Sequence, residues 1–237
     1  MSLSVSDLSF SYGAKPALDA VSFDVAAGRF CALLGPNGAG KSTLFGLLTQ
    51  LFSSADGRIE IAGHDLQKAP RAALAAMGVV FQQPTLDLDL SVRQNLRYFA
   101  ALQGLSGKTA ETRIDAALDQ LDMRQRAGEK ARGLNGGHRR RTEIARALLH
   151  HPKVLLLDEP TVGLDAAARQ SLVAHVHELA LGGISVLWAT HLTDEVQMQD
   201  DLVLLHQGRI RARGVTGDLV GGQALQDWFL AETGVAA

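Results

Sequence analysis

Gly35-Pro36-Asn37-Gly38-Ala39-Gly40-Lys41-Ser42-Thr43 follows the apolar run Arg29-Phe30-Cys31-Ala32-Leu33-Leu34 and precedes Leu44-Phe45-Gly46-Leu47-Leu48. Strand, glycine-rich loop, then helix is the setting in which G-x-x-x-x-G-K-[ST] makes a phosphate cradle rather than a plain turn. The glycines let backbone N–H groups curl round an anion without Cβ clashes. The helix start adds the positive end of its dipole. In that setting Lys41 reaches the β- and γ-phosphates and Ser42 offers its hydroxyl to Mg²⁺.

The 237 residues have room for one large α/β domain or a domain with a subdomain, and 46% hydrophobic residues suffice for a sizeable core. A net charge of −2 gives no global electrostatic case for nucleic acid. The single cysteine, Cys31, excludes an internal disulfide. It lies in the strand before the loop and reads as core packing, with no base beside it to activate a thiol. No run approaches the roughly 18–20 apolar residues that span a bilayer. Met1–Asp7 lacks the basic and apolar regions of a signal peptide. The expectation is a cytoplasmic protein whose membrane role comes through a partner.

Along the chain, alternation predicts strands over Leu3–Phe10 and Ala17–Val25, with further strands at Arg58–Ala62 and Ala76–Gln82. Ser91-Val92-Arg93-Gln94 is a capping box. Val92, Leu96, Phe99 and Leu102 then repeat at helical spacing, and Ile114, Ala117, Leu118 and Leu121 mark a second amphipathic helix. Residues near 88–133 thus read as a helical insert. Strands and helices resume at Val154–Leu157, Ala166–Leu181 (closed by Gly182-Gly183), Ile184–Ala189 and Asp201–Leu205. Gly214–Ala237 reads as a small helical tail.

Val154-Leu155-Leu156-Leu157-Asp158-Glu159-Pro160 is an apolar strand ending in two carboxylates. On a solvated strand end these would be two acidic caps. Behind a phosphate loop, Asp158 belongs on the Mg²⁺ side of a nucleotide, and Glu159 can accept a proton from the attacking water or orient it.

Leu134-Asn135-Gly136-Gly137-His138, continuing into Arg139-Arg140-Arg141-Thr142-Glu143-Ile144-Ala145-Arg146-Ala147-Leu148, resembles the L-S-G-G-Q signature and I-A-R-A-L helix of ATP-binding cassette (ABC) proteins. Other elements match in order. Tyr12 resembles the adenine-stacking aromatic and Gln82 the Q-loop glutamine; Gln83 is a rival, but register with the preceding Val80-Phe81 favours Gln82. Gly163-Leu164-Asp165 resembles the D-loop, and His191, in Trp188-Ala189-Thr190-His191, the switch histidine. The resemblance runs from Ser9 to about Gly214.

The resemblance implies an α/β fold: a P-loop NTPase (RecA-like) core with an antiparallel β-subdomain and a helical signature subdomain at about 88–150, the whole of 1–237 forming one ABC ATPase domain without transmembrane segments. It implies ATP and Mg²⁺ as cofactors. ATP is held by Tyr12 and by Gly35, Pro36, Asn37, Gly38, Ala39, Gly40, Lys41, Ser42 and Thr43. Mg²⁺ is held by Ser42, Gln82 and Asp158, and Glu159, Gln82 and His191 are catalytic. Leu134, Asn135, Gly136, Gly137 and His138 act in trans, beside the D-loop Asp165. It also implies a second ATPase subunit, taken as a homodimer partner, and separate integral-membrane permease subunits that tether the chain to the inner face of the cell membrane. No nucleic acid partner is expected.

Lys41 is expected on the loop surface, packing against little. Asn135 replaces the family serine and keeps a donor, its carbonyl oxygen turning away from the anion. His138 replaces the glutamine and adds positive charge if protonated. His175 and His177 face different sides of one helix and so do not share a metal. His150 and His151 read as a helix end where positive charge is favourable. Arg139, Arg140 and Arg141 fan out by about 100° each rather than forming a nucleic-acid stripe. Val79–Pro84 and Asp87–Leu96 resemble export-type subunits of drug and ABC-2 systems, and the Leu-Asn-Gly-Gly-His variant is similar to a group associated with quinoprotein (PQQ-dependent) alcohol oxidation. A soluble ABC ATPase acting on nucleic acid or ribosomes, and a non-hydrolytic ATP switch, are the alternatives.

Overall fold

A computed structural model describes residues 1–234. Residues 235–237, the end of the expected helical tail, lie outside the described residues. In chain order the strands are β1 (Leu3–Tyr12), β2 (Lys15–Val25), β3 (Phe30–Leu34), β4 (Arg58–Ile61), β5 (His64–Asp65), β6 (Met77–Val80), β7 (Val154–Asp158), β8 (Ser185–Thr190), β9 (Asp201–His206) and β10 (Arg209–Val215). The helices are α1 (Lys41–Leu48), α2 (Pro70–Ala75), α3 (Val92–Leu102), α4 (Gly107–Gln120), α5 (Gly136–Leu148), α6 (Ala166–Leu181), α7 (Thr216–Val220) and α8 (Leu225–Thr233).

The strands form two sheets. A six-stranded sheet runs β10-β9-β3-β8-β7-β6, parallel throughout except for β10. A four-stranded antiparallel sheet runs β2-β1-β4-β5. The parallel strands are buried on both faces, so their apolar runs are continuous and residue parity alone sorts the side chains. Phe30, Ala32, Leu34, Leu155, Leu157, Val186 and Trp188 enter one core, with side chains of α3, α4, α5, α6 and α8. Cys31, Leu33, Val154, Leu156, Leu187 and Ala189 enter the other, with α1 and the antiparallel sheet. Cys31 is fully buried, and burial pushes its thiol pKa far up, so it packs and does not react.

Helix ends follow local chemistry. At α3 the Ser91 hydroxyl accepts from Gln94 N while the Gln94 side chain accepts from Ser91 N, closing both halves of the capping box. Asp165 caps α6 by accepting from Ala168 N, and Gly182 ends it. The bounds of α6 are those expected from the sequence.

Two expectations need correction. The helical tail does not begin at Gly214: that residue and Val215 close a strand, β10, whose alternating Arg209-Ile210-Arg211-Ala212-Arg213 pairs with β9. His150 and His151 lie beyond the end of α5, and His150 does not serve its dipole as a cation. His150 is partly buried with Nε2 on Met77 O at 3.0 Å, and burial lowers its pKa, which favours the neutral ring.

Candidate functional site

The carboxyl ends of β3, β7 and β8 meet at the glycine-rich loop. Gly35 N donates to Thr190 O at 3.2 Å, tying the loop to the end of β8. Gly40 holds φ 113°, and a Cβ there would stand 2.9 Å from Ala17 O, so only glycine lets the chain turn into α1 at this point. A cleft of about 490 Å³ opens above the loop, lined by Tyr12, Asn37, Gly38, Gly40, Ser42, Thr43, Gln82 and Glu159. Tyr12 is half exposed, its hydroxyl 3.4 Å from Thr43 Oγ1, and its ring packs edge-on to Phe10 and Phe52. That leaves a flat face toward the cleft rim, suited to stacking.

Lys41 is not the exposed side chain expected from the sequence. It is 5% exposed. Its Nζ donates to Gly35 O at 2.7 Å and Pro36 O at 3.3 Å, and lies 3.2 Å from Glu159 Oε1. The loop thus folds round its own cation, which holds the phosphate-shaped curl open.

Glu159 follows β7 with φ 44°, a left-handed turn that is rare for a branched-off carboxylate residue and swings it away from the strand direction of Asp158. Gln82 Nε2 donates to Glu159 Oε2 at 3.1 Å. His191 Nδ1 stands 3.4 Å from Glu159 Oε1, without hydrogen-bond alignment. One carboxylate therefore gathers Lys41, Gln82 and His191. Between the two candidates Gln82 and Gln83, it is Gln82 that reaches this cluster.

Asp158 is 6% exposed and its Oδ1 has no hydrogen-bond partner. Burial and the adjacent Glu159 charge push its pKa up to about 6, against the opposing pull of Lys41 and Arg140. An orphaned carboxylate oxygen at the end of β7 and an exposed serine hydroxyl, Ser42, at the start of α1 are the donor chemistry that a hard divalent cation takes, so the residues present fit Mg²⁺.

Asn135, Gly137, His138 and Asp165 lie elsewhere, lining a second cleft of about 290 Å³ that shares no lining residue with the first. Leu134 is buried in the core. Asn135 caps α5: its Oδ1 accepts from His138 N at 2.9 Å, leaving the NH₂ to face outward. Gly136 and Gly137 let the start of α5 approach the start of α6, since a Cβ on either would stand 3.0 Å from the Leu164 side chain or 3.2 Å from Ala168 Cβ. His138 is corrected as a source of positive charge: burial, then Arg126 and Arg141, lower its pKa and favour the neutral ring.

The remaining polar residues are engaged. Arg139 donates to Ala131 O and Arg132 O, and Arg141 to Ser171 Oγ, while Arg140 points inward. His175 meets Asp122 and His177 meets Asp200, each by Nε2 at 3.0 Å. A cleft of about 640 Å³ beside Leu8, Leu47, Phe52 and Leu66 is larger but lined by no titratable group. Two contributors had no sequence signal. Glu195, 1% exposed, accepts from Thr161 Oγ1, Trp188 Nε1 and Thr190 Oγ1, binding the loop after Glu159 to the strand before His191. Arg140 is the other.

Comparison with known proteins places this geometry. Residues 18–162 match the ABC transporter family (ABC_tran). The chain is 38% identical over 227 residues to the daunorubicin resistance ATP-binding protein DrrA3 of Streptomyces coeruleorubidus, covering 94% of this chain and 72% of that protein. It is 37% identical over 215 residues to Nod factor export ATP-binding protein I of Neorhizobium galegae, covering 90% of this chain and 62% of the relative, which is therefore less than two thirds spanned. Among solved structures it is similar to an ATP-binding subunit of an ABC transporter, with a TM-score of 0.84 and 29% identity over 98% of this chain and 99% of the other. It is also similar to CbiO1 from Clostridium perfringens, part of the ABC transporter complex CbiONQ, with a TM-score of 0.87 and 28% identity over 97% and 94%. A family match over more than half of the chain, and relatives above 30% identity along at least nine tenths of it, establish that this chain belongs to the ABC transporter family, as an ATP-binding subunit that hydrolyses ATP with Mg²⁺.

Proposed function

We propose that this chain is the motor of an export system, working as a pair of cassettes on the cytoplasmic face of a membrane beneath separate permease subunits. The relatives named for daunorubicin resistance and Nod factor export support the direction. The separate membrane partner is supported by the fold: no helix among the described residues is long and apolar enough to cross a membrane. The likeness of the Leu134–His138 run to the quinoprotein-associated group stands on the sequence alone.

The observation that carries this reading is the convergence of Lys41, Gln82 and His191 on Glu159, beside the orphaned Asp158. Bound Mg²⁺, held by Ser42, Asp158 and Gln82, would supply positive charge to the phosphates. Lys41 carries its ammonium at the floor of the loop, where a phosphate can replace Glu159 as its partner. That exchange frees Glu159 to take the proton of a water that Gln82 orients. His191, one side chain away, donates to the terminal phosphate. Tyr12 offers its exposed face to the adenine.

The second cleft extends the proposal. Among the described residues, its signature end shares no lining with the chain's own phosphate loop. The resemblance to ABC proteins assigns it to the nucleotide of the facing cassette, with Asn135 Nδ2 and the start of α5 as donors and Asp165 alongside, and its separation from the chain's own loop supports that reading. The internal partners of Arg139 and Arg141 argue against the alternative of a nucleic-acid machine.

Glu159→Gln tests the reading. It keeps shape and removes the basic oxygen, so turnover should fall on the order of 10²-fold or more while ATP still binds. In ATP and Mg²⁺ the variant should elute as a dimer. Wild-type turnover would remove Glu159 from the chemistry.

A further inference from the structure

Arg140 lies in the second turn of α5 and is 5% exposed. Its Nε donates to Pro160 O at 2.7 Å, its Nη1 to Phe81 O at 2.7 Å, and its Nη2 to Gln82 O at 2.8 Å. One guanidinium thus grips the main chain on both sides of the site, at Gln82 itself and at the residue after Glu159. The side chains of Gln82 and Glu159 meet 3.1 Å apart. Glu143 balances the charge, taking Arg140 Nη1 at 2.8 Å on one oxygen and Thr85 N at 2.7 Å on the other. Arg146 continues the column, reaching Thr85 O at 3.3 Å and lying 4.3 Å over the Phe99 ring.

A buried guanidinium is an expensive way to fill space. Burial pulls its pKa down, and a buried charge persists only when its donors are met. Here the planar fork does what neither lysine nor glutamine can: it spans carbonyls from separate segments in one rigid geometry. The segments are loops, whose backbone would otherwise have several arrangements of similar energy. The same helix begins at Asn135, on the other cleft.

We propose that Arg140 is the positioning residue that sets Gln82 against Glu159, and that it links their spacing to the tilt of α5, and so to what the signature end of that helix binds. Arg140 is buried and does not line the phosphate-loop cleft. It acts through the two carbonyl-bearing segments. This role rests on the assignment of Gln82 and Glu159 given above.

The test uses the full chain with Arg140→Gln and Arg140→Lys. Steady-state ATPase with Mg²⁺ should show kcat lower by about 10- to 10²-fold in Arg140→Gln, the scale of a misplaced reacting group. KM for ATP should stay within about threefold, because the phosphate loop keeps its own contacts. Amide hydrogen exchange should quicken over 81–85 and stay unchanged over 35–43. Arg140→Lys keeps the buried charge opposite Glu143, so it folds even if the glutamine variant does not, and should fall between the two. Wild-type kcat in either folded variant with faster 81–85 exchange overturns the positioning role. A fall in kcat with unchanged 81–85 exchange also overturns it, since the loops were then not held by Arg140. Normal turnover by Gln82→Ala overturns the assignment of Gln82 instead, a separate result because exchange reports the grip directly.

Discussion

The two clefts of this molecule are built on opposite plans. In the phosphate-loop cleft, charged side chains face one another across the opening: Lys41 against Glu159, with Asp158 buried and incompletely paired behind them. In the signature cleft, the carboxylate and amide oxygens face their own helices, Asn135 Oδ1 on His138 N and Asp165 Oδ1 on Ala168 N. The first cleft holds both signs and can exchange partners. The second turns its acceptors inward and leaves donors outward. That difference suits a site that does chemistry in the first case and a surface that recognises an anion in the second.

The largest effect should come from the charged cleft. Lys41→Ala should lower turnover by on the order of 10²- to 10³-fold, the loss seen when a preorganised donor to developing charge is removed. Because Lys41 also braces Gly35 and Pro36, its loss should lower the thermal midpoint as well, in contrast with a surface lysine. Calorimetry and an ATPase assay on the same preparation check both. Unchanged melting would mean that the loop does not depend on its own cation.

The signature cleft gives a cleaner separation of fold from function. Serine, asparagine and aspartate are nearly equal N-caps, so Asn135→Ser and Asn135→Asp should both keep stability within about 0.5 kcal/mol. Only the aspartate removes the outward donor and places an anion there. Its turnover should drop by about tenfold or more, the scale of one lost charge-assisted contact, with Asn135→Ser staying active. Equal turnover by the two variants would show that this side chain serves α5 alone.

The last expected effect is on stability, and its sign follows from the buried, incompletely paired Asp158. An ordinary aspartate titrates near 3.8, whereas folded Asp158 titrates at about 6. Between these values the folded chain binds a proton that the unfolded chain has released. Stability therefore falls as pH rises through that window, and the full penalty is present above it. Asp158→Asn should stabilise the protein free of nucleotide and Mg²⁺ at pH 7.5 by about 1–3 kcal/mol, with the gain vanishing near pH 3.5, while Mg²⁺-dependent turnover is lost. Melting curves at the two pH values decide it. Destabilisation at pH 7.5 would place a partner on Asp158 that the geometry lacks.

Much of the fold was legible because its rules are local. The capping box at Ser91, the start of α6 after Asp165 and its end at Gly182 each depend on residues three or four apart. The phosphate loop was legible because glycine, lysine and hydroxyl must stand at fixed spacing. What was missed had a weak local signal. β10 alternates, but only Ile210 and Ala212 supply its apolar half. α2 is a six-residue helix opened by Pro70, too short for periodicity to show.

The sequence by itself determined that this chain binds and hydrolyses ATP as an ABC cassette, because ordered motifs of fixed chemistry admit few other readings. Only the tertiary structure decided that Lys41 is buried, that Asn135 turns its oxygen into α5, and that Arg140 among three consecutive arginines is the one drawn inside. The reason is physical. Arg140 is held by the carbonyls of Phe81, Gln82 and Pro160, and every residue carries an identical carbonyl. Side-chain identity records which groups can bond, whereas the path of the backbone, set by the packing of both cores, selects the ones that do.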